Sequence, residues 1–292
     1  MRAALPPTLG FIMQLFVDKL TNVDFSYLHP QRGLVGETWL ASALLDGGLD
    51  ETSMIWDFGV VKKVLRNWLD DELDHRLLVP IQSKDLSYQI NNDRISLQWQ
   101  FAGDELTMEA PLEAVALVDC EIITASSVAQ WAIARLADFF PQNLEQLQLT
   151  FEAEDISGAF YHYSHGLKKH DGNCQRIAHG HRSRIEIQKD GERDQWLESS
   201  WADRWADIYL GSTEDLAGES DGEKPAFHFA YDAPQGHFKL SIPQRVSYLM
   251  DSDTTVECIA QHIAETLKKD FTDQEIQVKA FEGLHKGAIF RA

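Results

Sequence analysis

Residues 94–137 read RISLQWQFAGDELTMEAPLEAVALVDCEIITASSVAQWAIARLA, and residues 225–268 read PAFHFAYDAPQGHFKLSIPQRVSYLMDSDTTVECIAQHIAETLK. Both stretches have the same order of patterns: an alternating strand, a turn, a strand that ends in proline, an apolar segment and a helix. Each is followed by another alternating strand, at 144–153 and 275–283. A repeat of this length predicts two units of similar plan, and we place their boundary near residue 158.

Each unit also opens with two strands, which alternating apolar and polar residues predict. These strands span about 11–28 and 36–46 in the first unit and about 158–166 and 181–189 in the second. In the first unit, helical spacing of apolar residues from Val60 to Leu73 predicts a helix capped by Asp57. The second unit has no good counterpart of this helix, because residues 190–224 read as an acidic insert with a polar loop at 211–224. The predicted class is α+β, with antiparallel sheets covered by helices on one face.

The composition narrows the classes of function. The chain has 292 residues, and its formal net charge of -20 argues against broad binding to nucleic acid or to an anionic membrane. Three cysteines are too few for a disulfide framework, which favours a reducing compartment. The N-terminal segment lacks the features of a signal peptide, and no apolar run is long enough to span a membrane. We therefore expect a soluble, cytoplasmic protein.

The densest set of chemically active side chains lies at 161–189. His179 and His181 are two residues apart at the start of a predicted strand, so their side chains point to one face. His165 lies on the preceding strand, which we expect to pair with this one. Three histidines and an open position are typical of a catalytic zinc site. The spacing alone leaves a solvated, histidine-rich loop as the alternative.

Four further residues are candidates for proton transfer or substrate binding. Cys174 has basic neighbours that favour a thiolate, and its possible roles are a zinc ligand, a packing residue, a nucleophile or an acid–base group. Glu282, on the last predicted strand, could accept two hydrogen bonds from an amidine-like N–H pair. Asp74 and His75, at the end of the first-unit helix, could act as general acid and base. Exposed surface positions are the simpler interpretation of Glu282, Asp74 and His75.

Taken together, these motifs resemble the 6-pyruvoyltetrahydropterin synthase / 6-carboxytetrahydropterin synthase family, whose domain has the tunnelling fold (T-fold). The family's motifs are a strand histidine, a cysteine shortly before HGH, a DF helix that ends in LDH, a Thr-x-Glu helix start and a glutamate in the final strand. The resemblance covers nearly all of this chain. It implies two tandem T-fold domains, 1–157 and 158–292, that assemble into a β-barrel oligomer.

The resemblance divides the motifs between the two halves. The second half matches the zinc ligands at His165, His179 and His181, and the cysteine at Cys174, with one extra residue before HGH. It also matches the helix start at Thr255 and Glu257 and the pterin-anchoring glutamate at Glu282. The first half retains Asp57–Phe58 and Leu73–Asp74–His75, whereas Ser26, Val35 and Glu37 stand where the zinc histidines would be, and Ser127 replaces the helix glutamate. In the family, the cysteine and the Asp–His pair come from neighbouring subunits. A tandem chain therefore needs only one of each for a composite site.

The implied function is that of a zinc-dependent, 6-carboxytetrahydropterin synthase-like lyase acting on 7,8-dihydroneopterin triphosphate, in the pathway to queuosine and other deazapurines. Zn2+ would polarise the side-chain hydroxyls of the substrate, Glu282 would anchor the pterin ring, and Cys174 would move protons with Asp74 and His75. The alternatives are 6-pyruvoyltetrahydropterin synthase activity and a non-catalytic pterin-binding or scaffold protein that zinc stabilises. A homo-oligomer, a dimer or trimer of tandem chains, is also implied.

The charge of the zinc segment differs from that of the whole chain. Residues 161–189 hold six basic residues (Lys168, Lys169, Arg176, Arg182, Arg184 and Lys189) and two acidic residues, Asp171 and Glu186. The sequence therefore predicts a local basic segment that suits a triphosphate, with Arg176 among the residues that bind the substrate.

Overall fold

A computed structural model describes residues 13–292, so the N-terminal segment and the first two residues of the predicted strand at 11–28 lie outside the described range. The elements of the first half are β1 (Met13–His29), β2 (Gly33–Gly47), α1 (Phe58–Glu72), β3 (Leu77–Pro80), β4 (Leu86–Asn91), β5 (Arg94–Phe101), β6 (Asp104–Pro111), β7 (Val115–Val118), α2 (Ala125–Leu136) and β8 (Leu144–Ala153).

The second half follows a similar order. Its elements are β9 (Phe160–His165), β10 (His179–Lys189), β11 (Glu192–Arg193), α3 (Gln195–Arg204), β12 (Ile208–Ser212), β13 (Leu216–Ser220), β14 (Ala226–Ala233), β15 (Gly236–Pro243), β16 (Ser247–Met250), α4 (Val256–Asp270), β17 (Ile276–Phe281) and β18 (Gly287–Arg291). Over residues 13–292, none of the helices is both long and apolar enough to cross a membrane.

Two of the three sheets are built to one plan. The order β7-β3-β1-β2-β8 in the first half corresponds to β16-β12-β9-β10-β17 in the second, where β18 adds an edge strand. The central hairpins are antiparallel, whereas β3 and β12 run parallel to β1 and β9, because α1 and α3 return the chain to the same end of the sheet. The predicted α+β class is confirmed, but the sheets are mixed rather than wholly antiparallel.

The third sheet takes three strands from each half. Its order is β13-β14-β15-β6-β5-β4, and β15 pairs with β6 through Leu240 opposite Met108. An apolar cluster packed on this sheet contains side chains of both halves, including the fully buried Trp99 and Phe238. Because burying one large apolar side chain contributes roughly 1.5–3 kcal/mol, this shared core joins the halves firmly. The division into domains at 157/158 stays a prediction.

The interpretation of 190–224 as an insert with a polar loop is wrong, because α3, β12 and β13 lie there. The side chain of Asp194 accepts a hydrogen bond from the Leu197 backbone N–H (3.1 Å) and so starts α3. Trp201 and Trp205 of this segment are buried in the core of the second half. The helix escaped prediction because it has only four apolar residues, in two pairs separated by a glutamate and two serines. α3 occupies the place in the second half that α1 occupies in the first.

Candidate metal centre and its surroundings

Three histidines converge where β9 pairs with β10. The register places His165 opposite His179, and His181 follows on the same face two residues later. Their ligand atoms all lie within 4.8 Å of one another, and none of the three side chains is more than 1% exposed. The predicted set of histidines is therefore brought together, and a solvated loop is excluded.

The ring nitrogens show which atoms a metal could use. The Nδ1 atoms of His165 and His179 lie 2.9 Å from the carbonyl oxygens of Thr254 and Arg176, and because a carbonyl only accepts, Nδ1 carries the proton in both rings. The Nε2 atoms of all three histidines are buried without a hydrogen-bond partner. Burial and the neighbouring imidazoles hold the pKa of His165 and of His179 well below its ordinary value, so both rings are neutral. This donor set fits zinc.

Asp24, which the sequence analysis missed, reaches this cluster from the first half. Its Oδ1 lies 3.3 Å from Nδ1 of His181, and the side chain is almost completely buried. Burial opposes its ionisation, but His181, Lys286 and Thr38 lower the pKa of Asp24 to about 2. An aspartate in the middle of the apolar stretch NVDFSYL is the signal that could have found it, since aspartate is rarely buried without a partner.

Asp74 and His75 lie beside the histidines in the same chain. The ring centroid of His75 is 5.0 Å from that of His179, and the ligand atoms of His75, Cys174 and His179 lie within 4.8 Å of one another. His75 has a left-handed backbone (φ 56) and donates its N–H to the carbonyl oxygen of Asp24 (2.6 Å). The structure thus brings together residues that the sequence divides between the halves, while their catalytic roles stay predictions.

The protonation of His75 follows from its two polar neighbours. Its Nδ1 lies 2.5 Å from Oδ2 of Asp74. Burial opposes the charged ring, but hydrogen bonds to Asp74 and Cys174 together raise the pKa of His75 to about 10. His75 is therefore protonated at neutral pH. An imidazolium between a carboxylate and a thiol is suited to donate a proton.

Cys174 is held by the third sheet. It lies in the connection between β9 and β10, where the Leu167 N–H donates to its carbonyl oxygen (2.9 Å). The next residue, Gln175, accepts hydrogen bonds from the Tyr231 hydroxyl (2.7 Å) and the Gln235 N–H (2.6 Å), both in the β14–β15 hairpin region. The β14–β15 hairpin of the third sheet therefore also positions the segment that carries the thiol.

The remaining predicted site residues divide into two groups. Glu282 lies at the margin of the centre, with Oε1 4.0 Å from Nε2 of His181, and Arg176 holds His179 through its carbonyl. Thr255 instead caps α4, where its hydroxyl accepts from the Cys258 N–H (3.4 Å), and Glu257 is exposed in the first turn. The neighbouring Thr254, rather than Thr255, contacts a histidine of the centre, His165. Nothing in the sequence pattern separates these two threonines.

The matching position in the first half has no histidines. Register places Tyr27 opposite Val35, where the second half has His165 opposite His179. Tyr27 therefore stands in the place of the first histidine, and the assignment of Ser26 to that place is wrong by one residue. The error arose because the two hairpin connections differ in length, so that alignment across them has no fixed point.

Polar side chains fill this first-half position. Asp207 corresponds to His75, since each lies just before the third strand of its sheet with a left-handed backbone (φ 54 and 56). Its carboxylate accepts two hydrogen bonds from Arg32, which also donates to the hydroxyl of Tyr27 (3.1 Å). Glu37, which matches His181, is buried 3.9 Å from Nδ1 of His162. An ion-paired cluster therefore lies where the second half has its three histidines.

Glu37→Gln is expected to stabilise the protein at alkaline pH. Burial raises the pKa of Glu37 to about 7, above its ordinary value of 4.5, so the stability associated with its neutral form is complete below about pH 4.5 and is lost as the pH rises through 7. The amide cannot ionise, and we expect the free energy of unfolding at pH 8 to rise by about 1–3 kcal/mol, with little change at pH 4.5. Urea denaturation at the two pH values measures this, with exposed Glu109→Gln as the control. An equal change at both pH values would contradict it.

The basic segment at 161–189 is largely neutralised by its neighbours. Four of its cations form ion pairs: Lys168 and Lys169 with Glu214, Asp215 and Asp253, Arg184 with Glu154, and Lys189 with Asp194. These ion pairs reduce the positive charge of the predicted basic segment, and its role toward a triphosphate stays a prediction. Arg176, whose Nη1 is buried without a hydrogen-bond partner, stays a candidate for substrate binding.

Part of this chain is similar to a known protein family. Residues 22–162 match the family model described as 6-pyruvoyl tetrahydropterin synthase. Nearly half of the chain is therefore similar to this family. The matched range includes Asp74 and His75 and ends before the three histidines of the centre. The prediction of an enzyme of the tetrahydropterin synthase type is thereby confirmed at the level of the family.

Relatives of the tetrahydropterin synthase family match parts of the chain. It is 24% identical over 127 residues to a Pyrococcus horikoshii protein named as a 6-carboxy-5,6,7,8-tetrahydropterin synthase, over 44% of this chain and 73% of the relative. It is 34% identical over 53 residues to the 6-carboxy-5,6,7,8-tetrahydropterin synthase of Rickettsia felis, over 18% of this chain and 38% of that one. The crystal structure of 6-pyruvoyl tetrahydropterin synthase from Plasmodium vivax aligns with a TM-score of 0.42 and 17% identity, over 50% of this chain and 94% of that chain.

Proposed function

We propose that this chain is a zinc-dependent lyase that converts 7,8-dihydroneopterin triphosphate into 6-carboxy-5,6,7,8-tetrahydropterin, a precursor of queuosine and related deazapurines. The observation that carries the proposal is the convergence of three buried histidines with His75, Asp74 and Cys174 from both halves of one chain. The carboxy product is favoured over the pyruvoyl product because the relatives from Pyrococcus and Rickettsia are named as carboxy synthases.

The geometry supports a division of chemical tasks. His165, His179 and His181 would hold zinc through their Nε2 atoms, and the bound ion would supply Lewis acidity toward the hydroxyls of the substrate side chain. Cys174, as the thiolate, would accept a proton from an adjacent substrate carbon and become the thiol, and protonated His75, oriented by Asp74, would return one. Glu282, with its carboxylate partly exposed beside His181, accepts hydrogen bonds from the pterin N–H groups.

We also propose that the protein is a homo-oligomer. Within one chain, the two matching sheets end at β7 and β8 and at β16 and β18. β8 alone offers an edge of ten residues. Because the backbone groups of an open edge pair readily with another strand, edges of separate chains could close the β-barrel that the family resemblance implies.

Product analysis tests the proposed activity directly. Light scattering first gives the molar mass of the zinc-loaded protein. The protein is then incubated with 7,8-dihydroneopterin triphosphate, and the products are separated by liquid chromatography and identified by mass spectrometry. We expect 6-carboxy-5,6,7,8-tetrahydropterin with acetaldehyde and inorganic triphosphate, and a mass of two or more chains. A pyruvoyl product would reassign the reaction, and an absence of turnover by the zinc-loaded protein would contradict it.

A further inference from the structure

Asp24 lies in the middle of β1 in the first half, yet its carboxylate contacts the metal centre of the second half. It is 1% exposed, and its Oδ1 lies 3.3 Å from Nδ1 of His181. The same oxygen accepts a hydrogen bond from the Thr38 hydroxyl (2.6 Å), and Nζ of Lys286 lies 3.5 Å from the other oxygen, Oδ2. A buried charge is costly unless it has partners of this kind, so Asp24 is fixed in one position.

The three histidines differ in the group that faces Nδ1. His165 and His179 donate to backbone carbonyls, whereas His181 faces the carboxylate of Asp24. A carboxylate that accepts the Nδ1 proton fixes the tautomer, turns Nε2 toward the metal and makes the ring a stronger ligand. Nδ1 of His181 completes no hydrogen bond in the structure, and the carboxylate of Asp24, from the other half, is the charged group in contact with it.

Asp24 is connected through its backbone to the proton-transfer pair as well. Its N–H donates to Oδ1 of Asp74 (2.8 Å), and its carbonyl oxygen accepts from the N–H of His75 (2.6 Å). One residue of β1 therefore links the histidine that would bind the metal to the two residues that would move protons. A displacement of Asp24 changes both parts of the centre together.

We propose that Asp24 is a positioning residue, which orients His181 for metal binding through its carboxylate and holds Asp74 and His75 through its backbone. This inference rests on the proposed function, because it takes His181 as a zinc ligand. It adds that the half without metal ligands contributes to metal affinity.

Glu37 provides a matched control in the same protein. By strand register it stands where His181 stands in the other half, and it is a buried carboxylate that faces the imidazole of His162 at 3.9 Å. Asp24→Asn and Glu37→Gln each replace one buried carboxylate by its amide. Of these two carboxylates, only that of Asp24 lies at the cluster of His165, His179 and His181.

Zinc affinity measured by competition with a chromophoric chelator tests the proposal. For Asp24→Asn we expect affinity to fall about 10- to 100-fold, with a shifted visible absorption of the cobalt-loaded protein and a melting temperature of the metal-free protein close to that of wild type. For Glu37→Gln we expect zinc affinity within about twofold of wild type, because its carboxylate faces no ligand.

A second variant covers the case in which Asp24→Asn does not fold. Thr38→Val retains the carboxylate but removes the hydroxyl that holds it, and we expect about fivefold weaker zinc binding, as for the loss of one hydrogen bond. Wild-type zinc affinity in the folded variants would overturn the inference. The inference would also be overturned if zinc affinity fell only in variants whose metal-free protein is itself less stable than wild type. A wild-type protein that binds no zinc would instead overturn the proposed function, whatever the variants do.

Discussion

Replacing His181 with alanine is expected to release the bound zinc and to lower turnover of 7,8-dihydroneopterin triphosphate by about 10,000-fold. Wild-type protein should hold one zinc per chain, because the matching position of the first half is filled by Arg32, Asp207 and Glu37. Two imidazoles remain in the variant, too few for a stable catalytic zinc site. Elemental analysis of dialysed protein and steady-state kinetics measure the two effects.

His162→Ala is the control for this prediction. His162 lies on β9, three residues before His165, and its Nδ1 contacts the carbonyl oxygen of Gly36 at 2.7 Å rather than the histidine cluster. We expect this variant to retain its zinc and most of its turnover. Two zinc ions per wild-type chain would contradict the expected single site, and full activity of His181→Ala would show that the catalytic centre is elsewhere.

Cys174→Ala and His75→Ala are expected to lower kcat by about 100- to 10,000-fold while the zinc content stays at the wild-type level. Both residues lie next to His179, close enough to form a second candidate metal group with it, but we propose that they transfer protons and that the three histidines bind the metal. Because they act as a unit, the double variant should be little worse than either single one. Kinetics with parallel zinc analysis separates loss of chemistry from loss of metal.

Cys258→Ala is the matched thiol control, since this half-buried cysteine lies on α4 and belongs to the core of the second half. It should turn over like wild type. Unchanged turnover in both Cys174→Ala and His75→Ala would contradict the composite site and favour a binding protein that keeps zinc for stability. A loss of zinc in either variant would place that residue among the ligands.

Much of the histidine cluster was predictable because its spacing is local. Side chains at i and i+2 of a strand share a face, so His179 and His181 converge whatever the rest of the chain does. His165 needed only the pairing of two neighbouring strands. Asp24 was not predictable in the same way, because it lies more than a hundred residues from His181 and meets it only when β1 packs against β10.

The positions of Asp74 and His75 likewise depend on contacts between segments that are distant in the sequence. From the residues alone, an exposed helix end was the simpler reading, and only the family resemblance suggested a role across the two halves. In the structure, the left-handed turn at His75 and the bond from its N–H to Asp24 direct the ring into the second half. Conversely, the lysines that read as a basic segment are paired with acids from distant elements such as Glu214 and Asp253.

The sequence by itself determined the repeated plan of strands and helices, the α+β class and the histidine set, because each depends on periodicity or spacing within a short stretch. Only the tertiary structure decided that the two halves form one centre, that Asp24 faces His181, and that the matching position of the first half is an ion-paired cluster. These features depend on how two sheets pack and on strand register across unequal connections. Neither is encoded in local pattern, since a shift of one residue reverses every side chain on a strand.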